Sequence, residues 1–233
     1  GVLPLRPPHV LMCVYTLAAN RGFPCGSNRA ELMPDAVAAE VFAALLAVTD
    51  SVDPSCFDMD PIATLDVLAD SDRARIAPLT YLYKGYSDVG YRPHRIAFSD
   101  MPVLGKSGPV GSALGGTGLA ISSRTNHPDT CAAFAAWVAG ADCQSTLYAK
   151  ANGQPGNAVA WANAGVNAAV LNAYQNTRLT HEAAWLRPRH NGYMGFQEEV
   201  SAIVIDILRG KTTRASGLAA LNSGFAASFL EAS

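Results

Sequence analysis

Apolar residues recur at helical spacing through much of the chain. After Met33-Pro34-Asp35, the positions Val37, Val41, Leu45 and Val48 fall on one face and predict an amphipathic helix. Asp60-Pro61 supplies an N-cap and a first-turn proline for a second helix, with Ile62, Leu65 and Leu68 expected inward. Short runs rich in apolar and aromatic residues, at 75–83, 95–98 and 119–122, predict strands. Residues 103–118 hold six glycines and one proline and predict a crossing loop. A helix carrying Cys131, Phe134 and Val138 follows. Another ends at Asn152-Gly153, where glycine suits a left-handed C-cap. Residues 196–208 carry a wide apolar stripe stopped by Gly210, and a last helix bears Leu218, Leu221, Phe225 and Phe229. Strands alternating with helices predict an α/β protein with a largely parallel sheet, and the glycine-rich crossing predicts two lobes.

Composition narrows the function. With 233 residues and 49% hydrophobic content, the chain can bury one large core or two small ones. Charged residues make up only 15% and the net charge is -2, without runs of like charge, so nucleic acid is not an expected partner. No stretch reads as a membrane span. Gly115-Gly116-Thr117-Gly118 precede a predicted strand instead of following one, and no GK[ST] follows them at P-loop spacing. That order excludes both the dinucleotide fingerprint and the P-loop. His9, His94, His127, His181 and His190 are scattered without paired-ligand spacing, so neither a metal site nor a cofactor is expected. No GxSxG elbow occurs. Asp58 and Asp60 suit turn and N-cap duty, and Cys131 and Cys143 suit small buried positions in alanine-rich helices. No catalytic constellation emerges, and the expected function is non-catalytic binding. The alternative is an α/β enzyme of unrecognised type, using a cysteine or carboxylate on a small polar substrate in the same cleft.

The run SDMPVLGKSGPVGSALGGTGLAISSRTNHPDTCAAFAAWVAGADCQSTLYAKANGQPGN carries an MP loop, a GG-x-G segment, a helix with tryptophan near its end, Gln144 and a Gly153-Gln154-Pro155 turn. The ending WLRPRHNGYMGFQEEVSAIVIDILRG adds an RP-x-x-x-x-Y-x-x-FQ entry into a helix. In this order the motifs resemble the carbohydrate-type extracellular solute-binding proteins of ABC importers, over residues 95–229 and more loosely before. The resemblance implies a two-lobed periplasmic-binding-protein-like fold, a sugar or polyol as ligand, the membrane subunits of an ABC importer as partners, and a periplasmic or cell-surface location. The chain starts GVLPLRPPH, with neither an initiator Met nor a signal peptide. It is therefore expected to be a processed or truncated product, with one near-complete lobe and part of the other. Residues 1–108 would begin the second lobe, 109–159 would be a return segment of the first, and 160–233 would supply the second lobe's final helices. A partner chain supplying the missing part of the first lobe is then expected, because exposed strand edges and apolar helix faces need cover.

Six residues are candidates for the ligand cleft. Tyr81 and Tyr83 share a face of the predicted strand by alternation; as sugar-stacking rings they compete with a reading as half-buried strand aromatics. Gly115 and Gly116 sit at the crossing, where they either let backbone approach a solute or merely turn the chain. Arg187 and Tyr193 belong to the polar-aromatic loop Trp185 to Tyr193, and Arg187 serves equally as an inter-lobe salt-bridge partner. Sugars offer apolar C–H faces and many hydroxyls, which rings and guanidinium forks recognise. Cys25 and Cys56 lie in turn-rich loops flanking the Pro34 helix. If the protein is exported they are the candidate disulfide, which would contribute roughly 3–4 kcal/mol. Five cysteines leave one odd.

Overall fold

A computed structural model describes residues 1–105 and 108–230. Lys106 and Ser107, within the expected crossing, and residues 231–233 of the expected last segment lie outside the described residues. In chain order the helices are α1 (His9–Asn20), α2 (Asp35–Thr49) and α3 (Pro61–Asp70), then α4 (Pro128–Ala139), α5 (Ala141–Cys143), α6 (Ala158–Ala162), α7 (Ala164–Ala169) and α8 (Ala173–Asn176), and last α9 (Arg178–Glu182), α10 (Tyr193–Leu208) and α11 (Arg214–Ala227).

The α/β expectation is overturned. Helix accounts for 52% of the residues and strand for 1%, and the described residues form no sheet. The segments expected as strands, 75–83, 95–98 and 119–122, are irregular or extended backbone. A strand is completed by its neighbour's N–H and C=O groups, and these segments have no ladder to join. Residue 76 accepts one bond from the Val2 amide at 3.0 Å, and Ile96 donates one to Tyr86 at 2.8 Å. The one bridge between described residues pairs Ala113 with Trp185 in parallel. Apolar and aromatic enrichment marked segments that can be strands; without partners, that local preference is not realised.

The chain divides into two compact units, one comprising Gly1–Tyr81, Asp100–Leu114 and the residues from Leu179 onward, the other Leu82–Ser99 and Gly115–Arg178. In the first unit, α1 is apolar on every side and every residue from Val10 to Asn20 is buried. It packs on α2 and α10, and α11 packs on both of those helices. The core gathers Leu3, Leu5, Tyr15, Phe42, Leu45, Val204, Leu221 and Phe225, all fully buried. Helix α2 forms where expected, with Ala38, Val41, Phe42 and Leu45 inward, while Val37 and Val48 flank that face. In α3, Asp60 caps the Ala63 amide at 2.9 Å, as its spacing predicts. Ile62, expected inward, is exposed instead, because Pro61, Thr64 and Leu65 occupy the buried face.

Two polar residues on α1 organise the neighbouring loop. Asn20 accepts from the Leu104 and Gly105 amides at 2.7 and 2.9 Å and donates to the Gly108 and Val110 carbonyls at 3.0 and 2.8 Å. One turn earlier, the Thr16 hydroxyl accepts from the Ala113 amide at 3.1 Å. Residues 104–105 and 108–113 are thereby fastened along α1 in the first unit.

The second unit is held largely by side chains bonded to backbone. Gln154 accepts from the Lys84 amide at 2.9 Å and donates to the Leu82 carbonyl at 3.1 Å, the two bonds a strand neighbour would make. Gln144 donates to Val138 and accepts from Gly156, both at 2.8 Å. Asn167 donates to the Trp161 and Asn163 carbonyls and accepts from Gln175. Lys84 is nearly buried, with Asp88 at 2.7 Å. Helix α4 has no buried residue, and Phe134 and Trp137 are 57% and 52% exposed. The left-handed position after the helical stretch 141–150 is taken by Asn152, with φ of 64°, and not by Gly153 as expected. Asparagine tolerates that conformation by bonding locally.

Cys25 and Cys56 are free thiols in this structure, as are Cys13, Cys131 and Cys143, so the expected disulfide is not formed. Both side chains serve as small apolar core residues. Burial pushes the Cys13 and Cys25 thiols up to about 12, which holds them as unreactive thiols at neutral pH.

Asn20→Ala should strand two amides and two carbonyls and lower stability by about 2 kcal/mol or more. Urea unfolding measures it; a loss within error of zero would show that solvent replaces the four bonds. In native protein, a thiol reagent should modify the half-exposed Cys131 first. All five cysteines should react after unfolding without reductant; two fewer would reveal a disulfide.

Candidate functional site

A cavity of about 330 Å³ opens in the first unit, near the lower end of the range for small-molecule sites. Its walls come from the loop between Trp185 and α10, with Leu114 beside it and the first turn of α10 closing one side. The loop is anchored at its start. Trp185 donates to the Ser112 carbonyl at 2.7 Å and accepts from the Leu114 amide at 2.9 Å. Its ring meets Tyr15 of α1 edge-on at 5.1 Å. The other end is fixed by Gly192, whose φ is +93° and where a Cβ would run into the Ser228 carbonyl oxygen. That backbone conformation favours glycine.

Arg187 is half-buried in the wall, and its Nη1 donates to Gln197 Oε1 at 2.7 Å. Gln197 is itself buried on α10, so it fixes the guanidinium plane without cancelling its charge. Arg189 also lines the cavity and is exposed. The lining residues include no carboxylate. The N-cap Gly192 gives α10 no side-chain cap, and the helix has no acid in its first turn.

Tyr193 lines the cavity yet is 3% exposed, with its hydroxyl 3.4 Å from that of Tyr15. Burial raises its pKa, against the opposing pull of the Tyr15 hydrogen bond and Arg187. His190 stacks on Phe229 at 3.8 Å and meets Tyr193 edge-on at 5.7 Å. Desolvation, and then Arg29, lower the His190 pKa, so the ring is neutral at pH 7. Its Nε2 lies 2.8 Å from Ser228 Oγ. That pair has the spacing of a nucleophile and its base, but the polarity is wrong for it. The Ser228 hydroxyl donates to the Phe225 carbonyl at 2.7 Å, which leaves it to accept from His190 Nε2–H. His190 is therefore the donor, and Ser228 is buried. The pair fastens the loop to the end of α11.

Of the six residues proposed from sequence, the cavity brings together Arg187 and Tyr193. Tyr81, also in the first unit, is half-buried and edge-on to His9 at 6.4 Å. Arg187 acts electrostatically on His9, whose pKa is lowered mainly by burial. Tyr83, Gly115 and Gly116 belong to the second unit and are exposed. Neither glycine takes a positive φ, and a Cβ on Gly116 would meet nothing. The fold itself therefore does not demand glycine at 116. Sequence reasoning missed Leu114, Leu186 and Met194 in the walls and Gln197 behind Arg187. The FQ of the helix entry was the available signal for Gln197.

No family model matches the chain, and no curated protein does. Among solved structures, the maltose-bound MalE3 of T. maritima superposes with a TM-score of 0.62 at 10% sequence identity, over 96% of this chain and 59% of that chain. The chain thus spans less than two thirds of the length of the structure it matches. At this identity the likeness is one of fold.

Proposed function

We propose that this protein binds a sugar or similar small polar solute without chemistry, as the ligand-binding component of an ABC importer at the periplasmic or cell-surface side. The observation that carries the reading is the cavity walled by Arg187 and Tyr193, in a chain whose fold resembles that of a maltose-bound protein. A ring face against sugar C–H groups and a guanidinium fork on hydroxyls are the chemistry such a ligand requires. In this reading Arg187 holds the ligand in the first unit and the buried Tyr193 backs the cavity wall, with Tyr81, Tyr83, Gly115 and Gly116 as further contact candidates. A partner chain or additional sequence covering the exposed apolar residues of the second unit, such as Phe134 and Trp137, belongs to the same proposal.

Thermal shift followed by calorimetry against maltose, monosaccharides and polyols tests it. A specific rise in melting temperature without any change in the sugar is expected. Arg187→Ala should weaken that binding about tenfold or more, measured at a temperature where the variant is folded, because it also leaves the buried Gln197 oxygen without its partner. Conversion of the sugar, or no shift with any member of the panel, would overturn the reading.

A further inference from the structure

We propose that the cavity selects an anionic ligand, an oxyanion-bearing sugar held by Arg187 and Arg189, over a neutral sugar. The inference rests on the sugar-binding reading above for the sugar part and on the cavity's own charge for the anion.

Arg187 is half-buried without a carboxylate, whereas the exposed Arg29, Arg73 and Arg209 of the same unit, which also lack one among the described residues, remain in water. Arg6 pairs with Asp60 at 2.7 Å, Arg21 with Glu40, and Arg214 with Asp35 at 2.7 Å. Arg187 and Arg189 have no carboxylate partner among the described residues. For Arg187 this is costly, because it is half-buried and its one side-chain partner is the neutral Gln197 amide. A guanidinium withdrawn from water is ordinarily compensated by an anion. Gln197 occupies Nη1, so the other N–H donors of Arg187 remain to meet a carboxylate or phosphate, which a guanidinium binds in bidentate fashion.

Nothing in the walls opposes a negative ligand. The remaining lining residues are apolar or neutral, with His190 a neutral ring. The positive field extends beyond the lining, since the Arg29 guanidinium lies 5.0 Å from the ring of Phe229, on which His190 stacks. The uncapped start of α10 adds partial positive charge of the same sign. Leu186 and Met194, both largely exposed, give the body of a sugar an apolar surface.

The test is calorimetry with galacturonate, glucose 1-phosphate, galactose, maltose and inorganic phosphate, at low and high salt. The expected result is binding of at least one sugar acid about tenfold or more tighter than the neutral sugars, with the advantage shrinking as salt rises. Arg189→Gln and Arg187→Gln should each reduce the acid-to-neutral ratio toward one, while Arg189→Lys retains part of it. Arg189 is exposed, so its variants keep the test valid if Arg187→Gln fails to fold. Neutral sugars binding as tightly as the acids would overturn this inference and leave the sugar-binding reading standing. Inorganic phosphate binding as tightly as the sugar acids would support the anion and overturn the sugar. An acid preference that survives the Arg187→Gln, Arg189→Gln double variant would assign the anion elsewhere and overturn the inference. No binding by any probe would overturn both.

Discussion

The first unit depends on α1, a helix too apolar to turn any face to water. Burying the side chain of each leucine or valine along it is worth about 1.5–3 kcal/mol, so α2 and α10 are driven against it from different sides. Two of its polar residues fall where loops need anchoring. Asn20 uses all four of its hydrogen-bonding positions on the glycine-rich segment, and Thr16 takes the amide of Ala113. Ala113 in turn forms the bridge to Trp185. The start of the cavity loop is therefore positioned from the helix at the centre of the core, through two polar side chains and one backbone pairing.

The second unit follows a different economy. Its buried residues include Lys84, Ser87, Gln144 and Asn167, each hydrogen-bonded, beside Tyr86, Phe98, Val170 and Tyr174, while Leu119, Phe134, Trp137, Leu147 and Val159 are more than half exposed. Amide side chains bridging backbone groups give it definition: Gln154 substitutes for a strand neighbour, and Asn167 ties three helical turns. Such bonds are directional and each contributes modestly, about 0.5–1.5 kcal/mol. They specify a conformation better than they stabilise one.

What was legible in the sequence follows the range of the forces. Helices α2, α3, α10 and α11 were readable because periodicity and capping are local; Asp60-Pro61 and Gly210 mark boundaries within a few residues. The strands were misread because pairing is non-local. Residues 75–83 have the composition of a strand, but composition says nothing about whether a second strand lies alongside. The cysteine pairing has a related basis: turn-rich flanks say nothing of which side chains face each other, and Cys25 and Cys56 are free thiols within the core. In the site, the RPRHNGY loop was readable as a polar-aromatic cluster, and the cavity forms from it. Leu114 and Gln197 were not, because their roles come from packing between distant segments.

In the proposed site, the constraints on the loop are what would give its arginines selectivity. It is held at Trp185 by backbone pairing, at Arg187 by Gln197, at His190 by Ser228 and at Gly192 by a conformation that leaves no room for a Cβ. Four constraints within eight residues leave the backbone few alternatives, so ordering it costs little when a ligand arrives. Arginine suits this better than lysine. A planar fork fixed at one edge presents its remaining donors in a set direction, whereas an ammonium on a flexible stem would select charge without selecting orientation. The neutral His190 ring completes the arrangement from the side, because stacking on Phe229 supplies a wall without adding a third charge that a single oxyanion would have to satisfy.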